Sequence, residues 1–190
     1  MKGIPKRLRL LCSPQVERCL QMIAIRQARI EDAPAVFAGC AQTAEIAGLL
    51  VSYPREISLA SVLTDIQGSQ GLEGHFLVAE ENDVIVGHAC LLQMSMLALR
   101  HIYRLTTVVH PGNTGRGIGR TLLGGLHLWA RSNSGCKKIE LLVRASNERA
   151  VHLYGSMGYV EEGRLRGRVR DLDGRLHDDL AMALFPDRDS

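Results

Sequence analysis

Between His110 and Leu123 the chain reads HPGNTGRGIGRTLL, which sets Gly112, Gly115, Gly117 and Gly119 around Arg116 and Arg120. Glycines this dense let successive backbone N–H groups converge on one point. An apolar helical pattern begins at Ile118, and a helix start adds unpaired N–H groups and a partial positive charge. Such a segment can bind a phosphate or pyrophosphate, with Arg116 and Arg120 as charge-assisted partners. A flexible strand-to-helix connection is the competing reading.

The familiar phosphate loops do not fit. The spacing from Gly112 to Gly117 suits a Walker A loop, but Ile118 stands where that loop needs lysine. A GxGxxG pattern fails because its third glycine would fall on Arg120 or Leu122. The loop also lies mid-chain rather than after the first strand, where a dinucleotide fingerprint belongs.

The elements that must position this loop can be read from periodicity. Ile23, Ile25 and Gln27 alternate as a short first strand. Glu31 and Asp32 open a helix that tolerates Pro34 and is expected to run to about Leu49. REISLASVLTDIQG predicts a second helix, ended by Gly68. GHFLVAE and VIVGHACLLQM flank ENDV as an antiparallel hairpin, and RHIYRLTTVVH is a strand that runs into the glycine loop. The helix that follows carries Ile118, Leu122, Leu126 and Trp129 on one face. KKIELLVRA is a strand, and NERAVHLYGSMG is a short helix capped by Asn147. Two last strands surround the turn at Asp173-Gly174. The order β-α-α-β-β-β-α-β-α-β-β predicts an α/β (α+β) fold, a mixed sheet with helices.

The glycine loop followed by a helix, a strand and NERAVHLYGSMGYVEEGR resembles the GNAT superfamily of N-acetyltransferases, over most of Met22 to Phe185. The motif Gln/Arg-x-x-Gly-x-Gly falls on Thr114, Gly115, Arg116, Gly117, Ile118 and Gly119, with Thr114 departing from the long polar residue at its first position. VVHP before it, and Asn147, Ala150, Leu153-Tyr154 and Gly158-Tyr159 after it, resemble the family's neighbouring segments. EIAGLLVSYP and the closing EGRLRGRVRDLDGRLHDDLAMAL look like a bacterial subgroup that acetylates small amines and amino acids.

The resemblance implies a mostly antiparallel central sheet flanked by helices, with acetyl-CoA as cosubstrate and no metal. The loop, with Thr114 to Arg120, would cradle the pyrophosphate. A primary amine would attack the thioester directly, through a tetrahedral intermediate whose oxyanion is held by the backbone N–H of Val109. That N–H would lie where a bulge splays the central strand. Tyr154 would give the thiolate its proton, and Asn147 would cap its helix and touch the CoA arm. Val108 and Val109 side chains, like the Tyr154 ring, also read as ordinary core. Family members often set a carboxylate on the central strand, where this chain has Arg104. His101 or Glu80 could serve as base instead, water could carry the proton, and Arg104 could clamp a substrate carboxylate. Each of these three side chains also reads as a structural or surface residue.

The remaining features bound the function. A net charge of +3 with 46% hydrophobic and 23% charged residues suits a globular protein with an anionic ligand and does not call for nucleic acid. Arg164, Arg166, Arg168 and Arg170 alternate along one strand and are expected on one solvated face, balanced by Asp178 or Asp179. No aromatic platform accompanies them. Cys12, Cys19, Cys40, Cys90 and Cys136 are scattered without a CxxC pair, which implies reduced thiols in a cytoplasm. His75, His88, His110, His152 and His177 show no metal-ligand spacing. No apolar run could span a bilayer. Residues 1–21, with Lys2, Lys6, Arg7, Arg9 and Arg18 against Glu17, read as a basic extension, disordered or weakly docked, before a domain at 22–190. The acceptor is expected to be a small-molecule amine. A protein N-terminal or lysine acetyltransferase, or a non-catalytic acyl-CoA-binding module, remains the alternative, and a homodimer stays open.

Overall fold

The strand that leads into the glycine loop, β4 (Ile102–Val109), is the fourth of seven in a sheet ordered β1-β2-β3-β4-β5-β7-β6. The computed structural model describes residues 23–69, 71 and 73–186; the basic extension expected at 1–21 lies outside them. The elements before β4 are β1 (Ala24–Gln27), α1 (Ala33–Ala44), α2 (Leu59–Gly68), β2 (Gly74–Glu81) and β3 (Val84–Gln93). After it come α3 (Ile118–Ser132), β5 (Lys138–Arg144), α4 (Glu148–Ser156), β6 (Val160–Arg170) and β7 (Leu176–Leu184). Every neighbouring pair is antiparallel except β4 with β5. The predicted order of elements and the mixed, mostly antiparallel sheet are both present.

Local chemistry accounts for the turns. Asn82 and Asp83 both adopt positive φ (50° and 63°), the conformation a two-residue hairpin between β2 and β3 requires. Ser58 caps α2 by accepting from the Ser61 N–H. The first helix is shorter than its periodicity suggests. It ends at Ala44 rather than near Leu49, where the Thr43 hydroxyl bonds back to Gly39 O and the chain continues in turns to Gly48, φ +83°.

The two faces of the sheet are covered unequally. On one, α3 and α4 bury Leu122, Leu123 and Leu126 against Leu77, Leu91, Tyr103 and Leu105. These leucines are fully buried, and truncating one to alanine costs about 2–5 kcal/mol. On the other, Val36 of α1 with Val62 and Ile66 of α2 cover Phe76, Val78 and Cys90 of β2 and β3. That cover reaches the Val108 end of β4 but leaves its Arg104 and Thr106 exposed in the middle of the sheet.

Candidate active site

The site begins where two parallel strands part. β5 pairs with β4 only from Ile102↔Lys138 to Arg104↔Glu140, then follows β7 as far as Arg144↔Asp179. From Leu105 onward, the edge of β4 that faces β5 has no ladder. The register says which backbone groups point there. Met94 N–H donates to Ile102 O and His110 N–H to Val86 O, both at 3.0 Å, so even-numbered residues of β4 bond to β3. The N–H groups of Leu105, Thr107 and Val109 therefore face the gap. The expected bulge is not what opens it. The β3–β4 register runs unbroken from Gly87↔Val109 to Gln93↔Tyr103, and the divergence comes from β5 turning to β7.

The glycine loop follows directly. Gly112, Gly115 and Gly117 have φ of +82°, +79° and +80°, and a Cβ on any of them would meet nothing within 4 Å. Glycine is needed there for conformation, and the space above the loop is open. Gly117 is the N-cap of α3, and the first intrahelical bond is Thr121 N–H to Gly117 O at 3.1 Å. The N–H groups of Gly117, Ile118, Gly119 and Arg120 have no partner within the helix. This open, N–H-lined cradle could hold a phosphate or pyrophosphate. Gly119 serves packing instead. A Cβ there would lie 3.1 Å from Leu153 of α4, so its absence sets the spacing of the two helices.

Both loop arginines are engaged inside the protein. Arg116 pairs with both carboxylate oxygens of Glu81, at the end of β2, and donates to Asn113 Oδ1 at 3.1 Å. Arg120 reaches the C-terminal end of α4, donating to Ser156 Oγ at 2.7 Å. A cation there also complements the helix dipole. The loop thus offers an anion its backbone, while the arginines brace the loop against β2 and α3 against α4. Thr114 is exposed in the loop.

Across the gap, Asn147 caps α4 by accepting from Ala150 N–H at 3.2 Å. Tyr154, one helical turn beyond Ala150, is 9% exposed and packs edge-on to Tyr159 with ring centroids 5.6 Å apart. Burial raises its phenol above the ordinary tyrosine value, and the Thr107 hydroxyl of β4 opposes that shift. Thr107 Oγ1 is itself buried without a hydrogen bond of good geometry among the described residues. The Tyr154 side chain therefore reaches the strand that carries Val109, two residues along.

The other candidates lie elsewhere. His101 sits at the opposite end of β4, where its carbonyl accepts from the Lys137 and Lys138 N–H groups and the strands are still joined. Glu80 is held by Arg26, which also grips Asp32. Arg104 projects from the uncovered face and has no ion-pair partner within 4 Å among the described residues. Asp65 of α2 faces it at longer range. Burial raises the Asp65 carboxyl above the usual range, and Arg104 pulls it back. The four arginines of β6 do not share one face. Gly167 (φ +57°) and the register shift between Leu165 and Val169 break the alternation. Arg164 turns to Asp178 and Arg168 to Asp179, neighbours on opposite faces of β7.

Sequence reading missed a buried pair. Arg144 donates to Asp179 at 2.9 Å, with side chains 5% and 1% exposed. It also missed the contacts among Cys40, His88 and His110. Period-two spacing places His88, Cys90, Arg104 and Thr106 on one sheet face, but it does not say which helix lies above them. Among the described residues no three His, Cys, Asp or Glu side chains come together as a metal set. No described helix is long and apolar enough to cross a membrane.

Comparison with known proteins shows the family of the chain. A model described as the acetyltransferase (GNAT) family matches residues 43–159. The L-amino acid N-acyltransferase MnaT of Escherichia coli K12 is 36% identical over 87 residues, 44% of this chain and 49% of its own length. The spermidine N(1)-acetyltransferase of Vibrio cholerae is 28% identical over 106 residues, 53% of this chain and 60% of its own. The chain spans about half the length of the curated relatives it matches. The structure of yncA from Salmonella typhimurium, solved with its cofactor acetyl-CoA, superposes with a TM-score of 0.81 at 25% identity, covering 89% of this chain and 96% of that one.

Proposed function

The chain belongs to the acetyltransferase (GNAT) family, and from that premise we propose that it moves an acetyl group from acetyl-CoA to the primary amine of a small molecule such as an amino acid. The observation that carries the reading is a convergence on one gap. The Val109 N–H points into it, the Tyr154 phenol reaches it from α4, and the open glycine cradle adjoins it.

In this reading bound acetyl-CoA supplies the activated acyl group, and the chain supplies position and charge. The backbone of Gly115 to Arg120 holds the phosphates. The Val109 N–H, fixed in place beforehand, stabilises the negative oxygen that forms when the amine attacks. Tyr154, kept protonated by burial, gives its proton to the departing sulfur. The acceptor approaches over the uncovered face, where Arg104 meets a substrate carboxylate. Asp65, whose carboxyl is shifted upward, lies beside that approach and can take the ammonium proton.

The likeness to both an amino-acid and a spermidine enzyme leaves the acceptor to chemistry, and the cationic floor at Arg104 favours an anionic acceptor over a polyamine. We place the catalytic unit in residues 22–190, in the cytoplasm, with 1–21 dispensable to it. The test is acetyl-CoA-dependent thiol release across amino acids, polyamines and peptide N-termini. Turnover with amino acids supports the reading, turnover with peptides alone redirects it to a protein acetyltransferase, and binding without turnover ends the enzymatic reading.

A further inference from the structure

Three side chains close to the gap have no part in the mechanism above: Cys40 on α1, His88 on β3, and His110, the residue after Val109. His110 is 6% exposed and His88 2%. The His110 Nδ1 lies 3.0 Å from Ile85 O. A carbonyl only accepts, so Nδ1 carries the proton and His110 Nε2 is an acceptor. His88 Nδ1, 3.2 Å from that nitrogen, must then donate. His88 Nε2 is left to accept from the Cys40 thiol at 3.4 Å. One proton arrangement satisfies the whole chain, with both rings neutral. Burial holds both imidazoles below their ordinary value, so this arrangement persists through neutral pH.

The ring of His110 also fills a slot that α1 leaves for it. A Cβ on Gly39 would overlap the imidazole. His110 is therefore held at its backbone by Val86 O, at Nδ1 by Ile85 O, at Nε2 by His88, and over its face by Gly39. This anchorage sits at the one end of β4 that lacks a partner on the β5 side.

We propose that the His88–His110 ring pair is a positioning device, which fixes the end of β4 so that the Val109 N–H stays aimed into the gap. The inference rests on the acetyltransferase reading. A preorganised donor stabilises a developing oxyanion only if it does not have to move during the reaction. A strand end bonded on one side only would otherwise shift. An ångström of misplacement is enough to cost about a hundredfold in rate.

The test uses Gly39→Ala, His110→Ala and the double variant, with wild type beside them. Gly39→Ala expels the ring while leaving His110 chemically intact, and alanine is otherwise the better helix residue. In the free protein, amide exchange at position 110, whose N–H donates to Val86 O, should quicken about tenfold or more in each variant, beyond the change in melting temperature. With acetyl-CoA and the best amine, kcat should fall roughly 10–100-fold while acetyl-CoA affinity stays within about threefold. The double variant relieves the clash, so it should regain melting temperature over Gly39→Ala without regaining kcat. Unchanged exchange in folded Gly39→Ala, or kcat recovering with stability in the double variant, would overturn the inference. Wild type that releases no thiol with any amine would overturn the acetyltransferase reading, and the catalytic half of the inference with it. The exchange arm still decides whether the rings hold the strand.

Discussion

The Tyr154 phenol on α4 lies against the Thr107 hydroxyl on β4, across the gap left where β5 turns away to β7. Thr107 Oγ1 is buried with no hydrogen-bond partner among the described residues, so the phenol beside it is not tied up in a structural bond there. Replacing Tyr154 by Phe keeps the ring contact with Tyr159 and removes the proton donor. Turnover should fall roughly 10²–10⁴-fold with acetyl-CoA affinity little changed. Stability should drop by no more than about 0.5–1.5 kcal/mol. Steady-state kinetics, calorimetry and melting on one variant check all three.

Gly117 and Gly119 are expected to fail in different ways. Gly117→Asp puts a side chain and a negative charge into the open space over the cradle, at a φ of +80°. Acetyl-CoA affinity should be lost, while the fold loses only the left-handed strain of about 1–2 kcal/mol. Gly119→Ala meets Leu153 at 3.1 Å, so its first effect should be a lowered melting temperature, from α3 and α4 being pushed apart.

Glu81→Gln should free the Arg116 guanidinium from its carboxylate. The freed cation then faces the phosphates. Acetyl-CoA should bind more tightly at low salt and lose more affinity as salt is raised, because a further charge takes part. Calorimetry at two ionic strengths measures this, and an affinity that falls on substitution would show that the pair is needed to shape the loop.

Arg104→Glu reverses the charge on the uncovered sheet face. The kcat/KM for amino acids should fall by at least about tenfold and that for polyamines should rise, with acetyl-CoA affinity unchanged. Equal loss for both acceptor classes would remove Arg104 from acceptor recognition.

Acid stability follows from the buried histidines. Burial lowers His88 to about 3 and His127 to about 4. Below an ordinary histidine value near 6.5 the unfolded chain binds protons that the folded chain refuses, so stability is lost as pH falls. The fully buried His88 can contribute up to about 1.4 kcal/mol per pH unit in that window, and the part-exposed His127 less because solvent screens it. Melting temperature should drop between pH 6.5 and pH 4.5, and less steeply in His127→Gln.

Much of this was legible in the chain because it depends on local rules. The hairpin turn within ENDV, the cap at Asn147 and the helical face from Ile118 each follow from residues a few positions apart. The glycine cradle is of the same kind, since φ > 0 at Gly112, Gly115 and Gly117 is a property of single residues. The end of the first helix is not, because nothing in its periodicity shows that the Thr43 hydroxyl folds back onto Gly39 O.

What the amino-acid sequence determined by itself, then, was the order of elements, the left-handed glycine loop and the family motif. The tertiary structure alone decided where the chemistry meets. Val109 faces the gap because of its pairing parity with β3 and because β5 leaves β4 at Arg104 for β7. Arg116 and Arg120 are exposed yet held within the chain because Glu81 and Ser156, 35 and 36 residues away, arrive beside them. The rings of His88 and His110 meet in a hydrogen bond, and the His110 ring fits only because α1 offers a glycine over it. Contacts of this kind depend on strand register and helix approach, which pack distant segments together and leave no periodic trace in the residues themselves.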